Sequence, residues 1–306
     1  MAILTRSLDG AAWRQIGLLS LGAVAVFVGF RLLPTGTNLS HADFQVPGGN
    51  SIEFCDPANP QFIPVVAVRS PVTLTLTTAE KPMAGKTVDA SVVLRTAEGK
   101  IIEPVDLLVA HTRKLHLMVI DPSLTDYQHV HPESGPKGEW NFQFTPRYAG
   151  LYRIFADFTP AATSRGLYAN VDVAVGGHAP VASPPPPGLW QASVDGYAFR
   201  LTPAKLPIVA REVVDLKLTI TREDGRPVDL EPIMDAFAHL VAFNDTRSGF
   251  AHLHPKETDL SKPPDAMHPT LTFRIKIPES GRYVIWAQII AGGQQRFAPF
   301  WFDVQP

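Results

Sequence analysis

At 306 residues the chain has room for about two domains, and a formal charge of -2 gives it no basic field with which to hold nucleic acid. Its 45% hydrophobic residues suffice for cores of normal size, and 29 prolines together with abundant Thr, Val and Phe favour short strands and turns over long helices. The single cysteine, Cys55, excludes an intrachain disulfide and every zinc or iron-sulfur motif built on CxxC pairs; its thiol is expected to be buried and inert.

The chain begins with Arg6 and Arg14, followed by an uncharged run from Ile16 to Phe30 that Arg31, by snorkelling, extends to Leu33. This is an anchor or a signal peptide, and Ser40-His41-Ala42 offers the small-x-small form of a cleavage site. The uncleaved anchor is preferred because that site lies well beyond Leu33. No Lys or Arg stands between Arg31 and Arg69, so the positive-inside bias puts the body outside the cytoplasm. The expected location is the inner membrane with the body in the periplasm, or a secreted body if the segment is cleaved. Residues 1–36 form this segment, and residues 37–65 form an irregular arm. The arm is expected to pack on the first domain, since Phe54, Phe62 and Ile63 would otherwise stay exposed.

Between residues 66 and 176 short strand-like runs follow one another: VTLTLT (Val72 to Thr77), TVDASVVLR (Thr87 to Arg95), LHLMVI (Leu115 to Ile120), QHVH (Gln128 to His131), WNFQF (Trp140 to Phe144), LYRIFADF (Leu151 to Phe158) and YANVDVAV (Tyr168 to Val175). A proline-rich linker, residues 177–189 with Pro184 to Pro187 at its centre, favours an extended spacer. The plan then returns over residues 190–306: YAFRLT (Tyr197 to Thr202) resembles VTLTLT, VVDLKLTI (Val213 to Ile220) matches the second strand, and GRYVIWAQ parallels GLYRIFAD. The expected fold is all-β: two tandem immunoglobulin-like β-sandwich domains after an N-terminal transmembrane or signal segment. A spacer of this kind predicts few contacts between the two and separate stability.

Histidines mark the duplication most sharply. His116, His129 and His131 in the first copy and His239, His252 and His254 in the second repeat one pattern, H-x12-H-x-H-P. Two histidines one residue apart on a strand project to the same side. If the hairpin sets His116 opposite His131, Met118 falls opposite His129, so three imidazoles and a thioether share one patch. Imidazole suits copper, zinc, iron and nickel, and a thioether selects Cu(I). Copper is therefore the favoured ion and zinc the other candidate, with Val241 standing in the second copy where the first has Met118. His111 and Met234, five residues before each first histidine, are further candidate ligands, and Met267 is another. The ligands are expected at an accessible face, each site drawn from one hairpin, with Val130 turned to the core.

The H-x12-H-x-H-P pattern, the Gly-x-Tyr-x-Ile-(Phe/Trp)-Ala strand and the leading apolar segment resemble a group of bacterial cell-envelope proteins with duplicated HxHP sandwich modules. The resemblance covers residues 66 to 306 and implies an association with copper or other heavy-metal handling, without a catalytic residue. Two other functions compete with non-enzymatic metal binding. One is an interaction module facing a cell-envelope protein partner, its histidines structural. The other is a metal-dependent enzyme, since an open three-histidine site also holds catalytic zinc. No nucleophile motif supports catalysis, and Asp157 of the first copy corresponds to Gln288 of the second, so the copies share no acidic position there.

Overall fold

The structure, a computed structural model, describes residues 10–32, 36–45, 62–67, 70–177 and 185–306. Phe54 and Cys55, and residues 178–184 of the proline-rich stretch, lie outside the described residues. The chain divides into two compact units, Met1–Asn38 and Leu39–Pro306.

Among its described residues the first unit holds one helix, α1 (Gly10–Leu32), whose 23 residues span about 34 Å at 1.5 Å each. Its Gly10–Phe30 portion is long and apolar enough to cross a membrane. The helix starts six residues ahead of the uncharged run, because Ala11, Ala12, Trp13 and Arg14 are compatible with helix and no proline interrupts them.

The second unit is two β-sandwiches. The first repeat contributes β1 (Val72–Thr78), β2 (Val88–Thr96), β3 (Leu107–Leu108), β4 (Leu115–Ile120), β5 (Tyr127–Val130), β6 (Glu133–Ser134), β7 (Glu139–Phe144), β8 (Gly150–Pro160) and β9 (Leu167–Val175). The second contributes β10 (Gln191–Val194), β11 (Tyr197–Pro203), β12 (Ile208–Val209), β13 (Val213–Arg222), β14 (Leu230–Glu231), β15 (His239–Asn244), β16 (Phe250–Leu253), β17 (Thr270–Lys276), β18 (Gly281–Ala291) and β19 (Gln294–Gln305). In the first repeat one sheet runs β1-β2-β7-β6 and the other β3-β8-β4-β5, with β9 on β8. The second repeat follows the same plan, β10-β11-β13-β17 facing β12-β19-β18-β15-β16. A tyrosine corner recurs in both: the Tyr152 hydroxyl accepts from the Tyr148 backbone N–H at 3.1 Å, and the Tyr283 hydroxyl donates to the Glu279 carbonyl at 3.0 Å.

Each repeat has its own apolar core between its sheets, built around Leu117, Ile154 and Phe144 in the first and Leu240, Ile285 and Phe273 in the second. A third core lies between the repeats. Side chains alternate faces along a strand, so β4 turns Leu117 and Val119 to its own core and Met118 and Ile120 to the opposite face. There they meet Phe155, Tyr127, Val241, Phe243, Phe250 and Trp286 in one buried cluster. Every residue of β4 and of β15 is buried for this reason. The expectation of few contacts between the repeats is corrected: a sheet of each is covered on both faces, and a strand so covered loses the alternation of buried and exposed residues.

The arm also differs from expectation. Its start packs on the first repeat, with Leu39 and Phe44 in that core and Asp43 bonded to Lys100. Its end packs on the second: Phe62 meets Tyr283 edge-on at 5.5 Å, and Ile63 exchanges backbone hydrogen bonds with Phe250 at 2.7 and 3.1 Å. Gly249 permits this crossing, since a Cβ there would stand 1.9 Å from the Ile63 carbonyl oxygen. Beyond the linker, Gly188 and Leu189 bond to the Trp301 backbone at 2.7 and 3.0 Å and so extend the second repeat.

Candidate metal centre

The register of each histidine hairpin follows from its pairing. Leu117 opposes Val130 and Met118 opposes His129, which sets His116 across from His131. Val241 opposes His252 in the second repeat, setting His239 across from His254. Pro132 and Pro255 follow where the strands end, as residues without an N–H to donate. Val130 is half-buried and packs on the first core. The histidines flanking it turn to the other face, the one that carries Met118 and the cluster between the repeats.

Two trihistidine groups result. His116, His129 and His131 each offer a ring nitrogen, and these atoms lie within 4.8 Å of one another; His239, His252 and His254 do the same. The groups are neighbours, not remote copies. His252 lies 5.7 Å from His116 and 5.3 Å from His129 between ring centroids, and His111 of the first repeat stacks on His254 of the second at 3.8 Å. Seven of the chain's ten histidines thus form one continuous cluster at the junction of the repeats. His111 reaches it from a tight turn in which it and Thr112 adopt φ of 49° and 67°, closed by reciprocal Ala110–Arg113 backbone bonds. Met234 and Asp235 form the same turn in the second repeat, with φ of 49° and 59°.

Burial corrects one expectation. His116, His129 and His239 are buried, not at an accessible face. Met118 is fully enclosed in the apolar cluster between the repeats, while Met267 is exposed.

Hydrogen bonds orient several rings. His116 Nε2 lies 3.0 Å from the Ala110 carbonyl, which it meets as donor, leaving Nδ1 free to act as a ligand. His129 Nδ1 lies 2.9 Å from Gln288 Oε1, and His252 Nδ1 lies 3.3 Å from Asp157 Oδ2. Gln288 is in the second repeat and Asp157 in the first, so the first histidine of each HxH is held by the other repeat. In turn Gln288 donates to Gln295 at 3.3 Å. Histidine ligands to metals commonly carry such a partner on the ring nitrogen that does not bind the ion.

The opposite nitrogens have no partner. His116 Nδ1, His129 Nε2 and His131 Nε2 in the first group, and both His239 nitrogens, His252 Nε2 and His254 Nε2 in the second, are buried without a hydrogen bond. Buried polar atoms are paired as a rule, so this set fits a bound cation. At ligand distances of about 2.0–2.1 Å, tetrahedral nitrogens stand about 3.3 Å apart, and these nitrogens lie within 4.8 Å of one another.

Electrostatics keep the imidazoles available. Burial holds the pKa values of His129, His239 and His252 well below the ordinary 6.5, and neighbouring histidines press them further. His131 falls to about 3, burial first and then His116 and Arg113 as causes. Burial raises Asp157, against the pull of His116 and His111. At neutral pH the rings are therefore neutral, and the His252–Asp157 contact is a hydrogen bond donated by the imidazole.

A family model described as a domain of unknown function, DUF8832, matches residues 67–175 and again residues 192–306. No curated protein sequence matches the chain. Among solved structures, the Escherichia coli adhesin FdeC is 15% identical at a TM-score of 0.24, covering 76% of this chain and 64% of its own. A putative membrane anchored protein from Corynebacterium diphtheriae is 10% identical at 0.23, with coverages of 78% and 59%. Fibronectin(III)-like modules of CbhA from Clostridium thermocellum are 13% identical at 0.21, with coverages of 76% and 94%. The chain thus spans less than two thirds of the length of the first two. With scores this low, the architecture rests on the strand pairing above.

Proposed function

The chain belongs to the DUF8832 family and carries its domain twice, and from that premise we propose that it is a non-enzymatic binder of transition-metal ions, copper favoured and zinc the other candidate. The observation that carries the reading is the convergence of buried, unpartnered ring nitrogens in two trihistidine groups. His116, His129 and His131 hold one ion, and His239, His252 and His254 hold the other. A cation supplies the partner that one nitrogen of each of the six rings lacks, the other nitrogen keeping its proton, and neutral imidazoles accept it without first losing a proton. Met118, paired with His129 across the hairpin and enclosed in the apolar cluster on that face, is the thioether candidate for the first site, and a thioether favours Cu(I). We further propose that α1 tethers the body at the periplasmic side of the inner membrane, an assignment supported by its length and by the arginines that precede the apolar run.

A second reading has its own support. The His129–Gln288 and His252–Asp157 bonds join the repeats directly. In an envelope interaction module they fix the junction, and a partner protein docks elsewhere. Titration of the full-length chain in detergent with Cu(I) and with Zn(II), followed by thermal unfolding, separates the two. Saturation at two ions per chain with a large rise in Tm supports the metal reading. Folded protein that takes up neither ion supports the interaction module.

A further inference from the structure

The two trihistidine groups differ in their surroundings. An open cleft of about 920 Å³ lies over the outer side of β1, β2 and β7, and its wall includes Arg113, His129, His131, Glu133, Asn141 and, from the second repeat, Gln295. Neither His239, His252 nor His254 lines it. His129 is more than nine-tenths buried, and its Nε2 has no hydrogen-bond partner. The sequence gives a reason for the asymmetry. After His131 the chain makes the two-residue β6 and one short 3-10 turn, Pro136–Gly138, before β7, whereas after His254 a longer loop returns to β17, tied by Lys256 N–H to the Thr272 carbonyl at 2.7 Å and by Thr272 N–H to Glu257 Oε2 at 2.8 Å.

We propose that the cleft is a port through which a small anionic ligand reaches the first metal and binds it directly, while the second metal is closed to such ligands. This rests on the metal reading above and adds to it a division of labour. A three-nitrogen site with an open position takes an exogenous ligand, as catalytic and exchanging sites do, and a site without access behaves as a structural one. The cleft wall also carries the carboxylates Asp89 and Glu133, and Arg113, whose charge is felt at His131, is the cation that draws the anion to the histidine end. The ligand donates a lone pair to the ion in the first group, so no electron transfer or proton release is needed. The first ion exchanges with a small anionic carrier or chelator, and the second stays.

Azide and the Cu(II)-loaded full-length chain in detergent test this. With two coppers per chain established by metal analysis, the azide-to-copper charge-transfer band should saturate at one azide per chain. Arg113→Glu should weaken azide binding about tenfold by reversing the charge at the port, with copper content unchanged. Asn141→Trp, which narrows the cleft, should weaken or abolish the band while both coppers remain. Two azides bound alike, or none, or binding indifferent to both substitutions, overturns the port while leaving metal binding intact. A chain that holds no copper overturns the metal reading and this inference together.

Discussion

His252 of the second repeat reaches across the junction to Asp157 of the first, Nδ1 to Oδ2 at 3.3 Å, and its pseudo-symmetric counterpart is the 2.9 Å contact of His129 with Gln288. Each repeat therefore orients a candidate ligand of the other. A carboxylate holds one ring and an amide the other, which makes the two groups chemically unequal.

Removing an orienting partner of a histidine ligand typically lowers metal affinity 10- to 100-fold. Asp157→Ala should weaken the site containing His252 by about that factor and the site containing His116, which Asp157 opposes across the strand without a hydrogen bond, by less, as read by competition with a calibrated chelator. Gln288→Ala should weaken the site containing His129. Equal weakening of both sites by either substitution would mean that the cluster binds as one unit.

The cluster between the repeats should make them unfold together. Phe243 is fully buried there against Phe155 at 6.0 Å and Tyr127 at 5.4 Å between ring centroids. Phe243→Ala should cost about 3–5 kcal/mol, and denaturant unfolding should remain one transition reported alike by probes in either repeat. Two separated transitions would restore the independent domains that the linker suggested.

Gly249 gives a test of the arm. A methyl group there collides with the Ile63 carbonyl, so Gly249→Ala should destabilise the chain by about 1–3 kcal/mol as an overpacking change and should expose the arm to limited proteolysis. Unchanged cleavage and stability would show that the arm contributes little to the second repeat.

Acid should destabilise the metal-free chain. Burial depresses the pKa values of His129, His239 and His252, and sets His131 at about 3. The unfolded chain therefore takes up protons first, near the reference value of about 6.5. The contribution of these groups is fully present above that pH and is lost as pH falls toward the folded values. Asp157 and Asp126, both raised by burial, act in the opposite sense above about 3.8, the reference for an aspartate, and are two groups against several. Stability against urea should fall between about pH 6.5 and 4, and His131→Gln should flatten that fall. A profile indifferent to His131→Gln would remove that ring from the linkage.

Much of this was readable in the chain. The alternation in VTLTLT, the doubled H-x12-H-x-H-P and the Gly-x-Tyr strands point to two like sandwiches, and the hairpin register that sets Met118 against His129 is the one found. The facing of the two histidine groups was not readable from the spacing within one copy. Its sign lay in Leu115–Ile120 and His239–Asn244, which are buried throughout and lack the alternation of a half-exposed strand. Asp157 and Gln288 hold equivalent places but differ in chemistry, which hid their shared role. Each meets a histidine of the other copy, a contact that no pattern within one repeat encodes. The end of the arm was misplaced because Phe62 and Ile63 signal only that they need cover, and the glycine that makes room for them is nearly two hundred residues away.

Metal analysis of the full-length chain and its His129→Ala/His131→Ala variant, both shown folded by circular dichroism, tests the central claim most directly. Two ions per chain in the parent and one in the variant are predicted, because His239, His252 and His254 remain. A folded parent chain that binds no transition metal, or a folded variant that keeps both ions, would contradict it.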